Sequence, residues 1–76
     1  MSTDASRARC RVTVAGPVAT GTLSTLRARF EVESAQPAGD GTALVVAGVD
    51  QAAQRALLTL LWDSGHAVRS VLWADE

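Results

Sequence analysis

Residues Leu57 to Val71 constrain the fold more than any other stretch of the chain. Leu57-Leu58-Thr59-Leu60-Leu61-Trp62-Asp63-Ser64 reads as an apolar helix, Gly65 as its stop, and His66-Ala67-Val68-Arg69-Ser70-Val71 as the entry to a strand. Glycine directly after a helical run is where a left-handed C-terminal cap is wanted. A strand that begins at once folds back under the helix it has just left, so the two are neighbours, and the rest of the chain supplies what they pack against.

Upstream, Arg7 to Val14 alternates with period two, setting Cys10, Val12 and Val14 on one face and Arg9, Arg11 and Thr13 on the other. That is the pattern of a half-buried strand. Ala15-Gly16-Pro17 ends it, and a short helix is expected within Val18 to Arg29, with Leu23, Leu26 and Phe30 at helical spacing. Phe30 to Ala35 alternates again, Phe30 and Val32 inward and Glu31 and Glu33 outward. Gln36 to Gly41 is the strongest turn signal, and Thr42 to Val49 is nearly all apolar, as for a strand covered on both faces. Its register is open: either Ala43, Val45 and Ala47 or Leu44 and Val46 face away from the helices. Asp50 is a good N-cap for a helix over Gln51 to Ser64, and Ala67 to Ala74 forms the last strand. Residues 1–6 read as a frayed tail and residues 7–76 as one domain.

Strand-helix-strand-strand-helix-strand in this length is the split βαβ pattern of the ferredoxin-like folds, an α+β class with two helices on one face of a four-stranded antiparallel sheet. The expected spatial order is fourth, first, third, second strand. Strict alternation then places Arg9, Arg11, Glu31, Glu33, Arg69, Val71 and Trp73 on the open face, with Val68 and Leu72 under the helices. A two-fold axis would set Arg against Glu there and cover the apolar centre, so self-association is expected. Leu58 and Trp62, four apart on the second helix, point away from its core stripe and form a second candidate contact patch, unless Trp62 folds over the helix end.

Composition narrows the function. Seventy-six residues, 47% apolar and 20% charged, make one small globular core that gains from a partner. A net charge of −1 gives no drive toward nucleic acid or membrane. The seven basic residues are all Arg, which in so alanine-rich a chain reads as composition bias. The start of the chain is polar and no apolar run approaches the roughly 18 residues needed to cross a bilayer. The expectation is a soluble, cytoplasmic homodimer that uses no cofactor.

Chemistry is sparse. Cys10 is the single thiol and reads as a small core hydrophobe; His66 is the single histidine and follows the helix stop. There is no Cys-x-x-Cys, no His pair and no dense carboxylate cluster to hold a metal. The central strands carry no aromatic residues on which nucleobases could stack. Gly16, Val18 and Gly21, in the first strand-to-helix turn, are the candidate ligand-binding positions, through backbone amides that glycine leaves accessible.

Val18-Ala19-Thr20-Gly21-Thr22-Leu23 stands where ACT domains carry an Asp-x-x-Gly-x-Leu turn, with Val18 in place of the Asp. Ala56 to Val71 is similar to that family's second helix and Gly-aromatic-Val strand entry, here Gly65-His66-Ala67-Val68. The chain thus resembles an ACT domain over Arg9 to Trp73. The resemblance implies pairing through sheets or helices and an amino acid bound at the joint, with Gly21 the position that carries over. The resulting expectation is a non-enzymatic, standalone regulatory or interaction module, homodimeric and able to bind a small ligand such as an amino acid. The alternative is an adaptor that docks on a larger protein through the open sheet face or the Leu58/Trp62 patch, without ligand. A small enzyme built on an oligomeric barrel is a distant third.

Overall fold

The computed structural model describes residues 8–74. The tail expected over residues 1–6 lies outside them. The order is β1 (Arg9–Ala15), α1 (Thr20–Arg29), β2 (Glu31–Ala38), β3 (Gly41–Ala47), α2 (Gln51–Asp63) and β4 (Val68–Ala74). The four strands form one antiparallel sheet in the order β2-β3-β1-β4, the ferredoxin-like arrangement.

The core lies between this sheet and both helices. Cys10, Val12 and Val14 of β1 and Leu44 and Val46 of β3 are wholly buried on one face, against Leu26 of α1 and Leu57 and Leu61 of α2. This settles the register of β3: Ala43, Val45 and Ala47 face away from the helices. Only Leu26 of α1 is wholly buried, against two leucines of α2. Truncating such a leucine to alanine costs about 2–5 kcal/mol, and at Leu26 it removes the main anchor of α1.

The helix ends follow local rules. Asp50 Oδ1 accepts from the Ala53 amide at 2.8 Å, capping α2. At the other end Gly65 takes φ +89°, its amide donates to Trp62 O and the His66 amide donates to Leu61 O. Those two bonds are a Schellman motif, and they are why β4 can start so soon after α2.

The β2–β3 hairpin is tighter than expected. Strand β2 runs on through Pro37 to Ala38, and the loop is Gly39-Asp40 alone. Proline is tolerated there because β2 is an edge strand and needs no donor on its outer side. Gly41 is therefore a strand residue, paired with Ala15. Its lack of a side chain is still required, because a Cβ at that position would lie 2.2 Å from Val14 O.

Two β-bulges reset the faces of the edge strands. In β2 the register against β3 shifts between Val32 and Ser34, leaving Glu33 as the extra residue. In β4 the register against β1 shifts between Val14, opposite Val68, and Thr13, opposite Ser70, leaving Arg69 as the extra residue. Residues opposite one another share a face. Val71, opposite Val12, and Trp73, opposite Cys10, therefore lie on the helix side, and Leu72, opposite Arg11, lies on the open side. This corrects the expectation for all three residues. Strict alternation from Val68 cannot see an inserted residue that flips everything after it.

Candidate functional site

The open face is less bare than its sequence suggests. Arg9 reaches across β3 to Glu33, with Nε 2.8 Å from Oε1 and Nη2 donating to Oε2 at 3.3 Å. Arg69 forms a two-point pair with Asp40 in the hairpin loop, Nη1 to Oδ1 at 2.5 Å and Nη2 to Oδ2 at 3.2 Å. This pair holds the Asp40 carboxyl below its ordinary pKa, first through the hydrogen bond and then through the charge of Arg69. It raises that of Arg69 for the same two reasons. Between the pairs Ala43 is only 8% exposed and Val45 is half-buried. Arg9, Glu33 and Arg69, expected to face a second copy, are thus paired within one chain, and among the described residues Arg11 and Glu31 are the members of that set outside these ion pairs.

The exposed apolar surface gathers elsewhere. Among the described residues the large hydrophobic side chains left in solvent are Leu72 (58% exposed), Trp62 (57%) and Trp73 (44%). Leu72 and Trp73 are successive residues of β4, one on each face of the sheet, and β4 is an edge strand. Trp62 stands on the flank of α2 that holds Leu58 and Gln54, at steps of four residues. Gln54 Nε2 donates to Cys10 Sγ at 3.8 Å, and Cys10 is opposite Trp73. The Gln54-Leu58-Trp62 flank of α2 therefore runs over the β1/β4 side of the sheet, the side on which β4 has no neighbour. Leu58 is half-buried and packs on the core, so it anchors this flank rather than standing off it, while Trp62 is exposed.

The candidate ligand positions separate. Gly16 has φ +71°, its amide donates to Asp40 O and its carbonyl accepts from Thr42 Oγ1 at 2.9 Å, so it ties the first turn to the hairpin. Val18 packs on the core. Gly21 is exposed and borders an open cavity of about 460 Å³ between the helices.

Cys10 and His66 do not form a reactive pair. Cys10 lies near the start of β1, wholly buried, and burial pushes its thiol pKa up. His66 lies beyond the other end of that strand, where the Ala15 amide donates to Ala67 O. Five strand residues separate the two ends, about 16 Å, too far for a thiol and its base. The His66 side chain has its Nε2 buried without a hydrogen-bond partner. Among the described residues no three His, Cys, Asp or Glu side chains converge as a metal site would require, and no helix is long and apolar enough to cross a membrane.

Comparison of the chain with protein-family models, with curated proteins and with solved structures finds no match.

Proposed function

We propose that this chain is a non-enzymatic interaction module that pairs with a second copy of itself through the free edge of β4. One observation carries the reading: among the described residues the three exposed large hydrophobic side chains, Trp62, Leu72 and Trp73, belong to α2 and to the edge strand β4, whose Ser70-Val71-Leu72-Trp73 run carries no charge. An edge strand offers a row of unpaired N–H and C=O groups, and proteins that stay monomeric normally blunt it with charge, proline or short length. Val71-Leu72-Trp73 does none of these.

The strand is suited to pairing with itself. Antiparallel pairing about Leu72 sets Leu72 on Leu72 on the open face and Val71 against Trp73 on the helix face. The product is a continuous eight-stranded sheet with Trp62 of each copy over the join.

Sedimentation velocity over a wide concentration range tests this. The wild type should sediment as a dimer at high concentration, and Leu72→Lys as a monomer that remains folded by circular dichroism, since Leu72 is 58% exposed and supports none of the core. A wild type that stays monomeric throughout would overturn the reading.

A further inference from the structure

We infer that the groove between α1 and α2 is a binding site for a small phosphorylated polyol, such as a sugar phosphate. This site is on the far side of the sheet from the open face, where Ala56, Thr59 and Leu60 of α2 border α1, so it is argued separately from the β4 edge.

Thr22, Thr25 and Arg29 follow one another along one strip of α1, and Arg55 and Thr59 along one strip of α2. Both strips face the same space. Arg29, Arg55 and Thr59 line a cavity of about 470 Å³ floored by Leu60. Thr22, Thr25 and Arg29 line a second of about 460 Å³ over the same leucine. Ser64 borders both. Volumes in this range suit a small metabolite.

The polar groups divide the groove by chemistry. Arg29 and Arg55 come from different helices, and neither has an ion-pair partner among the described residues. Two guanidinium groups bordering one cavity repel each other. A dianion between them replaces that repulsion with charge-assisted, two-point hydrogen bonds of the kind arginine makes to phosphate. A phosphomonoester, with close to two negative charges at neutral pH, matches the pair better than a carboxylate. Asp63 also lines the cavity without pairing to either arginine, and it disfavours ligands with a second strongly anionic end.

The hydroxyls define the other part of the ligand. Thr25 Oγ1 donates its proton to Gly21 O at 3.1 Å, and Ser64 Oγ donates to Leu60 O at 2.8 Å. With their protons committed, both oxygens are left as acceptors. They suit a partner that donates, as the hydroxyls of a sugar or polyol do, and they do not suit a second phosphate. The groove presents no exposed aromatic side chain, so it has no anchor for a bilayer.

The test is a titration of ¹⁵N-labelled wild-type protein at constant ionic strength with ribose 5-phosphate, inorganic phosphate, ribose and sodium chloride. Ribose 5-phosphate should shift the amides of Thr22, Thr25, Arg29, Arg55, Thr59 and Ser64 saturably, and leave β1 and β4 unmoved. Inorganic phosphate should bind the same residues more weakly, and ribose or chloride should not saturate. Arg29→Gln and Arg55→Gln, both at exposed positions, should each weaken binding about tenfold, the usual worth of a hydrogen bond to a charged group. Shifts that follow sodium chloride, shifts that map elsewhere, or unchanged affinity in the two variants would overturn the site. Equal affinity for inorganic phosphate and ribose 5-phosphate would overturn the polyol assignment.

Discussion

The two edges of this sheet are finished in opposite ways. Strand β2 carries Glu31, Glu33, Gln36 and Pro37 and a bulge at Glu33, which is tied to Arg9 two strands away. Each is a known way of making an edge unfit to receive another strand. Strand β4 carries its bulge and its charge at one end, at Arg69, and then presents Val71, Leu72 and Trp73. A chain under uniform pressure to stay monomeric would protect both edges. Protection of one edge alone is what the proposed pairing through the other calls for.

The largest expected effect comes from giving β4 the character of β2. Leu72→Lys with Trp73→Asp places a charge on each face of the edge and removes an exposed tryptophan, the residue type that most often dominates an interface. The dimer should weaken at least about 100-fold, as two truncated contacts of about 1.4 kcal/mol or more each imply. Trp73 stands opposite Cys10 on the helix side of the sheet, so the monomer of the double variant should melt somewhat lower yet remain folded by circular dichroism. Sedimentation equilibrium reads the first outcome and thermal unfolding the second. An unchanged dimer would place the contact elsewhere and remove the meaning given to the edges.

How much of this was legible beforehand differs along the chain. The element order, the strand order, the burial of Cys10, the Asp50 cap and the Gly65 stop were all readable, because each rests on a local rule. The faces of β1 were readable because its alternation is unbroken. Beyond Arg69 strict alternation gives the faces of β4 in reverse, setting Val71 and Trp73 on the open face where the structure has Leu72. The sign of it was in the sequence. Arg69-Ser70 and Glu33-Ser34 are each two adjacent polar residues inside an otherwise alternating strand, and each marks the bulge. Two polar neighbours can both stay in solvent only if the strand gains a residue there. The ion pairs Arg9–Glu33 and Arg69–Asp40 were not legible, because they join residues 24 and 29 positions apart and depend on where the bulges aim the side chains.

The converse experiment strips β2. Glu31→Val with Glu33→Val removes two edge charges and, with them, the Arg9–Glu33 ion pair. The half-exposed pair is worth only about 0.2–1 kcal/mol, so folding stability should fall slightly. Light scattering should nevertheless show new concentration-dependent association, now through β2 and insensitive to Leu72→Lys. A variant that scatters no more than the wild type would mean that these charges are not what keeps β2 unpaired.

A smaller effect should follow from deleting Arg69. The remaining Val68-Ser70-Val71-Leu72-Trp73 alternates strictly, so each side chain keeps the face it has now and the strand loses only its inserted residue. The fold should persist, with Val71 still against Val12 in nuclear Overhauser contacts, and the straighter edge should associate slightly more tightly than the wild type. Loss of the Val71–Val12 contact would show that the bulge is required for register rather than accommodated by it.

The finest distinction concerns how firmly the bulged end of β4 is held. Asp40 sits in the hairpin loop and Arg69 in the bulge, so their pair ties the start of β4 to the β2–β3 hairpin across β1. The carboxyl of Asp40 has its pKa lowered in the folded chain. Its contribution is therefore complete above the ordinary aspartate value, near 3.9, and is lost as pH falls through the lower folded value. Both groups stand in solvent, so the effect on stability is slight and confined to acid. The side-chain carbon shift of Asp40 reads it directly. In the wild type that shift should titrate below the ordinary value, and in Arg69→Gln it should move up toward it, the backbone hydrogen bond to the carboxylate remaining. If Asp40 already titrates normally in the wild type, the bulge is not tied down, and the charged end of β4 protects that edge less than β2 is protected by Glu33, whose arginine partner lies across the sheet in the same manner.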